Sequence, residues 1–198
     1  AVESFLRQDY PCRELVILND TPGQELVCYE EGVRVINLPE RIPTLGEKYA
    51  MLVKLSHGEV IFPWEDDDLS LPWRISHSLS ILGDNDYYKP QGHWYWPINR
   101  KKPVPDYGGA VRHNCSAFRK EAYNLLPGYS ATSGNQDASI DRLLQQSGKV
   151  FSDRPSIHKL FYIYRWGVSP YHLSGSNPDP VHSHQLFYDE VGRLEVVP

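Results

Sequence analysis

Val60-Ile61-Phe62-Pro63-Trp64-Glu65-Asp66-Asp67-Asp68 is the stretch from which the fold of this chain is read. An apolar run leading directly into four consecutive carboxylates has the form of a buried strand whose carboxyl end emerges at the edge of a sheet. Adjacent carboxylates repel one another and resist burial unless they are paired. A hard divalent cation between them removes the repulsion, because Mg²⁺ and Mn²⁺ take oxygen ligands and keep positions open for a phosphate. Open α/β sheets bind ligands beyond the carboxyl ends of their strands, so the stretch is a candidate metal–phosphate site. The same residues also read as a solvated acidic turn, with Asp68 as N-cap of a helix from Leu69 onward.

Upstream of this stretch, Pro43-Thr44 opens a helix through Leu55, with Leu45, Tyr49, Leu52 and Leu55 on one face and His57-Gly58 closing it. Glu14 to Asp20 is a continuous apolar run ending in Asn19 and Asp20 before the turn Thr21-Pro22-Gly23, which predicts a buried parallel-type strand. Val33 to Leu38 predicts a second strand, and Ala1 to Gln8 the end of a helix. Downstream, Pro72 to Leu82 has helical phase. Tyr87-Tyr88, His93 to Trp96 and Val111 to His113 read as antiparallel strands. Helices are expected over Arg119–Leu126 and Ala138–Gln146, a strand over Ile157–Trp166, and loop from Gly167 until Arg193–Val197. This strand–helix alternation is an α/β rhythm, with no internal repeat.

At 198 residues the chain is most simply one domain with a real core. A hydrophobic share of 40% with 23% charged residues is that of a globular protein. The net charge of −5 argues against a nucleic-acid surface. Cys12, Cys28 and Cys115 are odd in number, far apart and in no metal-ligand spacing, which points to free thiols in a reducing compartment. No apolar run approaches membrane-spanning length, so a cytoplasmic protein is expected, at most peripheral to a membrane. The 13 Tyr and 5 Trp suit sugar-stacking surfaces and aromatic cores equally.

Four stretches, in order, resemble the inverting GT-A-fold glycosyltransferases of family 2. Ser4 to Pro11 followed by Glu14 to Asp20 is similar to the family's opening segment. His57-Gly58-Glu59-Val60-Ile61 with Glu65 to Asp68 and Pro72 is similar to its acidic segment. Ala117-Phe118-Arg119-Lys120 with Gly128-Tyr129 is similar to its acceptor-side stretch. Asn135-Gln136-Asp137 with Asp141-Arg142-Leu143 and Gly148 is similar to its late helix. The resemblance implies a Rossmann-like, mostly parallel central sheet flanked by helices, plus a small antiparallel acceptor-side sheet. The nucleotide-binding half would cover about 1–85, the acceptor half 86–166 and an extended tail 167–198.

The resemblance also implies a nucleoside diphosphate sugar as donor, UDP-linked as first guess, a divalent cation (Mn²⁺ or Mg²⁺), and transfer with inversion to a saccharide, lipid or protein hydroxyl. Glu65 and Asp67 take the two acidic positions of the D-x-D motif, with Asp68 just behind, as metal ligands, and Asp66 and Asp67 contact the nucleotide-sugar; Glu65 departs from the usual Asp. Asp20 matches a base- or ribose-contacting position, or else is an Asx-turn residue before Pro22; Lys48 reaches the nucleotide or is solvated. Asp137 matches the catalytic base, or caps the helix that follows it. His172 is a further metal or diphosphate contact, or an ordinary loop histidine. The family begins with a central strand that has no counterpart ahead of Ala1, so the chain is read as a fragment. The gap would be filled by the tail strand Leu194–Val197 or by a second copy in a homodimer. The alternative function is an impaired domain that keeps scaffold or nucleotide binding only. A nucleotidyltransferase would want a Gly-rich phosphate loop, which the sequence lacks.

Overall fold

A computed structural model describes residues 1–97, 100–108, 112–146 and 148–166. Helix α1 (Val2–Leu6) leads to β1 (Leu15–Asn19), which pairs in parallel with β2 (Val33–Asn37). Helix α2 (Leu45–Leu55) follows, its N-cap Thr44 Oγ1 accepting the Glu47 N–H and donating to the Glu47 carboxylate. Next come β3 (Val60–Ile61), β4 (Leu69–Ser70), α3 (Arg74–Leu82), β5 (Tyr87–Tyr88), β6 (His93–Pro97) and β7 (Val104–Asp106). The described chain ends with β8 (Ala117–Arg119), α4 (Lys120–Asn124), α5 (Gln136–Gln146), β9 (Val150–Phe151) and β10 (Tyr162–Trp166).

The architecture is the expected α/β one, with parallel and antiparallel pairs mixed. One four-stranded sheet runs β3-β8-β5-β9 and another β4-β10-β6-β7. The apolar run before the carboxylates contributes only Val60 and Ile61 to a ladder, since Pro63 has no N–H to donate. Leu69 does not begin a helix. Leu69 and Ser70 pair with Ile163 and Tyr162 of β10, so Asp68 is no N-cap, and α3 starts only at Arg74. His113–Cys115 is a 3₁₀ turn instead of a strand; Val111 and the tail from 167 on, including His172 and Leu194–Val197, lie outside the described residues. Ala117–Arg119, expected in part as helix, forms β8. Strands β7 and β9 are two or three residues long, too short for alternation to register in the sequence.

Two clusters form the core. One gathers Leu69, Leu71, Leu82, Tyr88, Trp96 and Phe161 to Tyr164; the other gathers Val53, Tyr87, Phe118, Tyr129, Ile140 and Leu144 beneath α2 and α5. Among the described residues, β1 pairs only with β2, and β3 only with β8. A cavity of 790 Å³ lies between those strands, walled by Leu15, Val16, Val60 and Ile61 and by Phe5 and Leu79 from α1 and α3. No helix among the described residues is long and apolar enough to cross a membrane.

Gly46 sets the approach of α2 to the segment before α5. A Cβ there would fall 1.8 Å from the Ser130 carbonyl oxygen, while the Gly46 N–H donates to the Thr132 carbonyl at 2.9 Å. Gly46→Ala must therefore push the two segments apart. It should destabilise the protein despite alanine's better helix propensity, read as a lowered denaturant midpoint. Ile140 is fully buried against the second cluster; Ile140→Ala should cost about 2–5 kcal/mol in the same unfolding measurement.

Candidate functional site

The acidic run divides. Glu65, Asp66 and Asp67 each offer a carboxylate oxygen to one cluster, all within 4.8 Å of one another. Asp68 turns the other way. It is buried, its Oδ2 accepting from the Tyr162 hydroxyl at 2.5 Å and its Oδ1 from the Arg165 N–H at 2.8 Å. Burial, with Asp67 beside it, pushes the Asp68 carboxyl up to about 7 against those two bonds. Of the three acidic residues expected as metal ligands, Glu65 and Asp67 converge, with Asp66 beside them, and Asp68 faces β10 instead. Beneath the run, the fully buried Arg74 donates to the Pro63 carbonyl at 2.7 Å, the Asn114 carbonyl at 2.6 Å and Ser70 Oγ at 2.8 Å. Its guanidinium lies 4.6 Å from the Trp64 ring centroid.

Glu65 is half-buried, and the Tyr49 hydroxyl donates to its Oε1. Burial and the neighbouring carboxylates push Glu65 up to about 8, opposed by the Tyr49 hydrogen bond. Such a donor set, three hard oxygens crowded together with one carboxyl held protonated near neutrality, fits a divalent cation: the ion would supply the charge the cluster lacks. Tyr49 stacks on Tyr129, ring centroids 5.1 Å apart and 22° from coplanar. Both phenols are pushed up, by burial first and then by nearby charge, with Glu65 and Asp137 each contributing. The tyrosine pair thus stands where the fields of Glu65 and Asp137 meet.

Asp137 lies in the first turn of α5, which begins at Gln136, two residues earlier than its sequence pattern suggests. It is therefore inside the helix and not a cap ahead of it. Among the described residues, its Oδ1 is buried and accepts no hydrogen bond. Asp20 directly follows β1 and is buried. Its Oδ1 accepts from Lys48 Nζ at 2.7 Å and its Oδ2 from the Ile42 N–H at 3.0 Å. Burial raises the Asp20 carboxyl, yet these two partners outweigh it and hold the group below its ordinary range. Two expected nucleotide contacts are thus paired with each other. The Asx turn belongs to the preceding residue, Asn19, whose Oδ1 accepts from the Thr21 N–H.

Sequence periodicity places Tyr49 on the apolar face of α2 but cannot show that its hydroxyl reaches Glu65. Gly128-Tyr129 stands out in sequence only through the acceptor-side resemblance, and nothing local shows that Tyr129 stacks on Tyr49 or meets His113.

No protein-family model and no curated protein sequence matches this chain. Among solved structures, S. aureus TarS residues 1–349 in complex with UDP superposes with a TM-score of 0.64 at 14% identity, over 97% of this chain and 66% of that one. The same segment in complex with UDP-GlcNAc gives 0.64 at 12% identity, over 93% and 59%. S. aureus TarS itself gives 0.64 at 12%, over 99% and 40%. The chain spans less than two thirds of the length of these structures. At such identity the likeness speaks to architecture alone: this chain shares the mixed α/β fold of those structures.

Proposed function

We propose that this chain is a glycosyltransferase domain that binds a nucleoside diphosphate sugar, UDP-linked, and transfers the sugar with inversion to an acceptor hydroxyl, assisted by Mn²⁺ or Mg²⁺. The observation that carries the reading is the convergence of Glu65, Asp66 and Asp67 within 4.8 Å, in a chain folded like a protein crystallised with UDP and with UDP-GlcNAc. Glu65, Asp66 and Asp67 would hold the cation, which when bound neutralises the departing diphosphate. Asp137 would take the proton from the acceptor hydroxyl as its oxygen forms the new bond to the anomeric carbon and the bond to the diphosphate breaks. Its unpartnered Oδ1 at the start of a helix suits a group that receives a proton. Asp20, with Lys48 fixing its orientation, would meet the base or ribose.

A second reading, a domain that binds nucleotide without turnover, draws on Glu65: one of its oxygens is engaged by Tyr49 in place of a free aspartate at that position. Calorimetry of UDP with and without Mn²⁺ tests both. Heat in the presence of Mn²⁺ is expected, and no heat in either condition would sink the reading. Binding without transfer over a broad donor panel selects the second reading. Asp137→Asn should lower transfer about 10²–10⁴-fold, the usual reach of general base catalysis, with UDP affinity within about twofold.

The raised carboxyl groups set a pH dependence. A cation needs Glu65 ionised, so its binding expels a proton, and Mn²⁺ affinity should climb up to about tenfold per pH unit below pH 8 and level off above it. Without metal the sign for stability is opposite. Glu65 and Asp68 keep protons in the fold that the unfolded chain has already released. Stability should therefore fall as pH rises from about 5 to 8, and Mn²⁺ should restore it at pH 8. Thermal unfolding across that range checks both.

A further inference from the structure

Behind the tyrosine pair lies a buried polar knot that the proposed reaction does not use. Asp141 on α5 accepts from the Tyr87 hydroxyl at 2.5 Å and from Lys89, and its Oδ1 lies 2.6 Å from His113 Nδ1. His113 is buried in its 3₁₀ turn, and its Nε2 lies 2.7 Å from the Tyr129 hydroxyl. Beside the buried Ser116, whose Oγ lies 3.5 Å from His113 Nδ1, the surroundings are apolar: Val53, Phe118, Ile140 and Leu144. Polar clusters in such a place are no better for stability than well-packed hydrophobic residues, so stability alone does not account for this one.

Its connections do. The carboxylate of Asp141 faces Nδ1, which makes Nδ1 the protonated nitrogen; in the neutral ring Nε2 then accepts, and the Tyr129 hydroxyl donates inward. That bond fixes the Tyr129 ring, on which Tyr49 stacks, and Tyr49 holds Glu65. Asp141 also lies four residues after Asp137, one turn along the same face of α5. One buried pair is therefore tied to both sides of the candidate site.

We propose that Asp141 and His113 are positioning residues that set Glu65 and Asp137 relative to each other: His113 acts on Glu65 through Tyr129 and Tyr49, and Asp141 acts on Asp137 through the turn of helix they share. This rests on the reading of Glu65 and Asp137 as site residues. Neither His113 nor Asp141 touches substrate in this scheme.

The test uses the intact chain with Tyr129→Phe, Tyr49→Phe, their double variant and His113→Gln. Tyr129→Phe removes one hydroxyl and keeps the ring stack, so it remains informative even where His113→Gln fails to fold. Mn²⁺ uptake is followed by the spin-resonance signal of the free ion, with thermal unfolding alongside and ¹³C resonances of the Glu65 carboxyl as a metal-free readout. Tyr129→Phe should weaken Mn²⁺ binding about tenfold, the scale of outer-shell effects on metal sites. The double variant should bind no more weakly than Tyr49→Phe alone, because both changes interrupt one path. Unchanged Mn²⁺ affinity in Tyr129→Phe, or losses that add in the double variant, overturns the inference and leaves the metal reading standing. If the unaltered protein takes up no Mn²⁺, the metal reading fails by itself and the Glu65 carboxyl resonance decides. The inference then stands if that resonance moves in Tyr129→Phe in the same sense as in Tyr49→Phe, and falls if it does not move.

Discussion

Asp68 decides which way the acidic run faces. Four consecutive carboxylates cannot share one environment, since in a poorly solvated place each raises the cost of ionising the others. The chain separates them. Asp68 turns into the core, where the Tyr162 hydroxyl and the Arg165 N–H occupy its two oxygens, and this contact spans the sequence from the acidic run to β10. With that end latched, Glu65 to Asp67 form the outward cluster. Arg74 stabilises the other end from below through the Pro63 carbonyl and the Trp64 ring.

From this latch the rest of the site follows by packing. The cluster meets α2 through Tyr49, α2 meets the segment before α5 through the close approach at Gly46, and α5 presents Asp137. Aromatic stacking, instead of direct ion pairing, spans the space between the two carboxylate-bearing sides. The Asp20–Lys48 pair shows the opposite arrangement: there the charges meet at 2.7 Å, and the pair orders the end of β1.

Much of the architecture was legible because it follows from local pattern. Leu15–Asn19 is a buried run, Pro43-Thr44 marks a helix start, and α2, α3 and α5 show helical spacing. The errors cluster where long-range pairing overrides local preference. Leu69-Ser70 looks like a helix start only until β10 arrives to pair with it, and Ala117–Arg119 becomes a strand because β3 and β5 flank it. Of the site, the grouping of Glu65, Asp66 and Asp67 was visible, as adjacency in the chain forces adjacency in space.

What the amino-acid order determined by itself was the alternation of strands and helices and the presence of crowded anions after an apolar run, both consequences of neighbouring residues. Only the tertiary structure decided that Asp68 points inward, that Tyr49 rather than solvent meets Glu65, and that His113 and Asp141 lock behind Tyr129. The reason is that a buried polar side chain must find a partner wherever packing brings one, and here those partners lie many residues away.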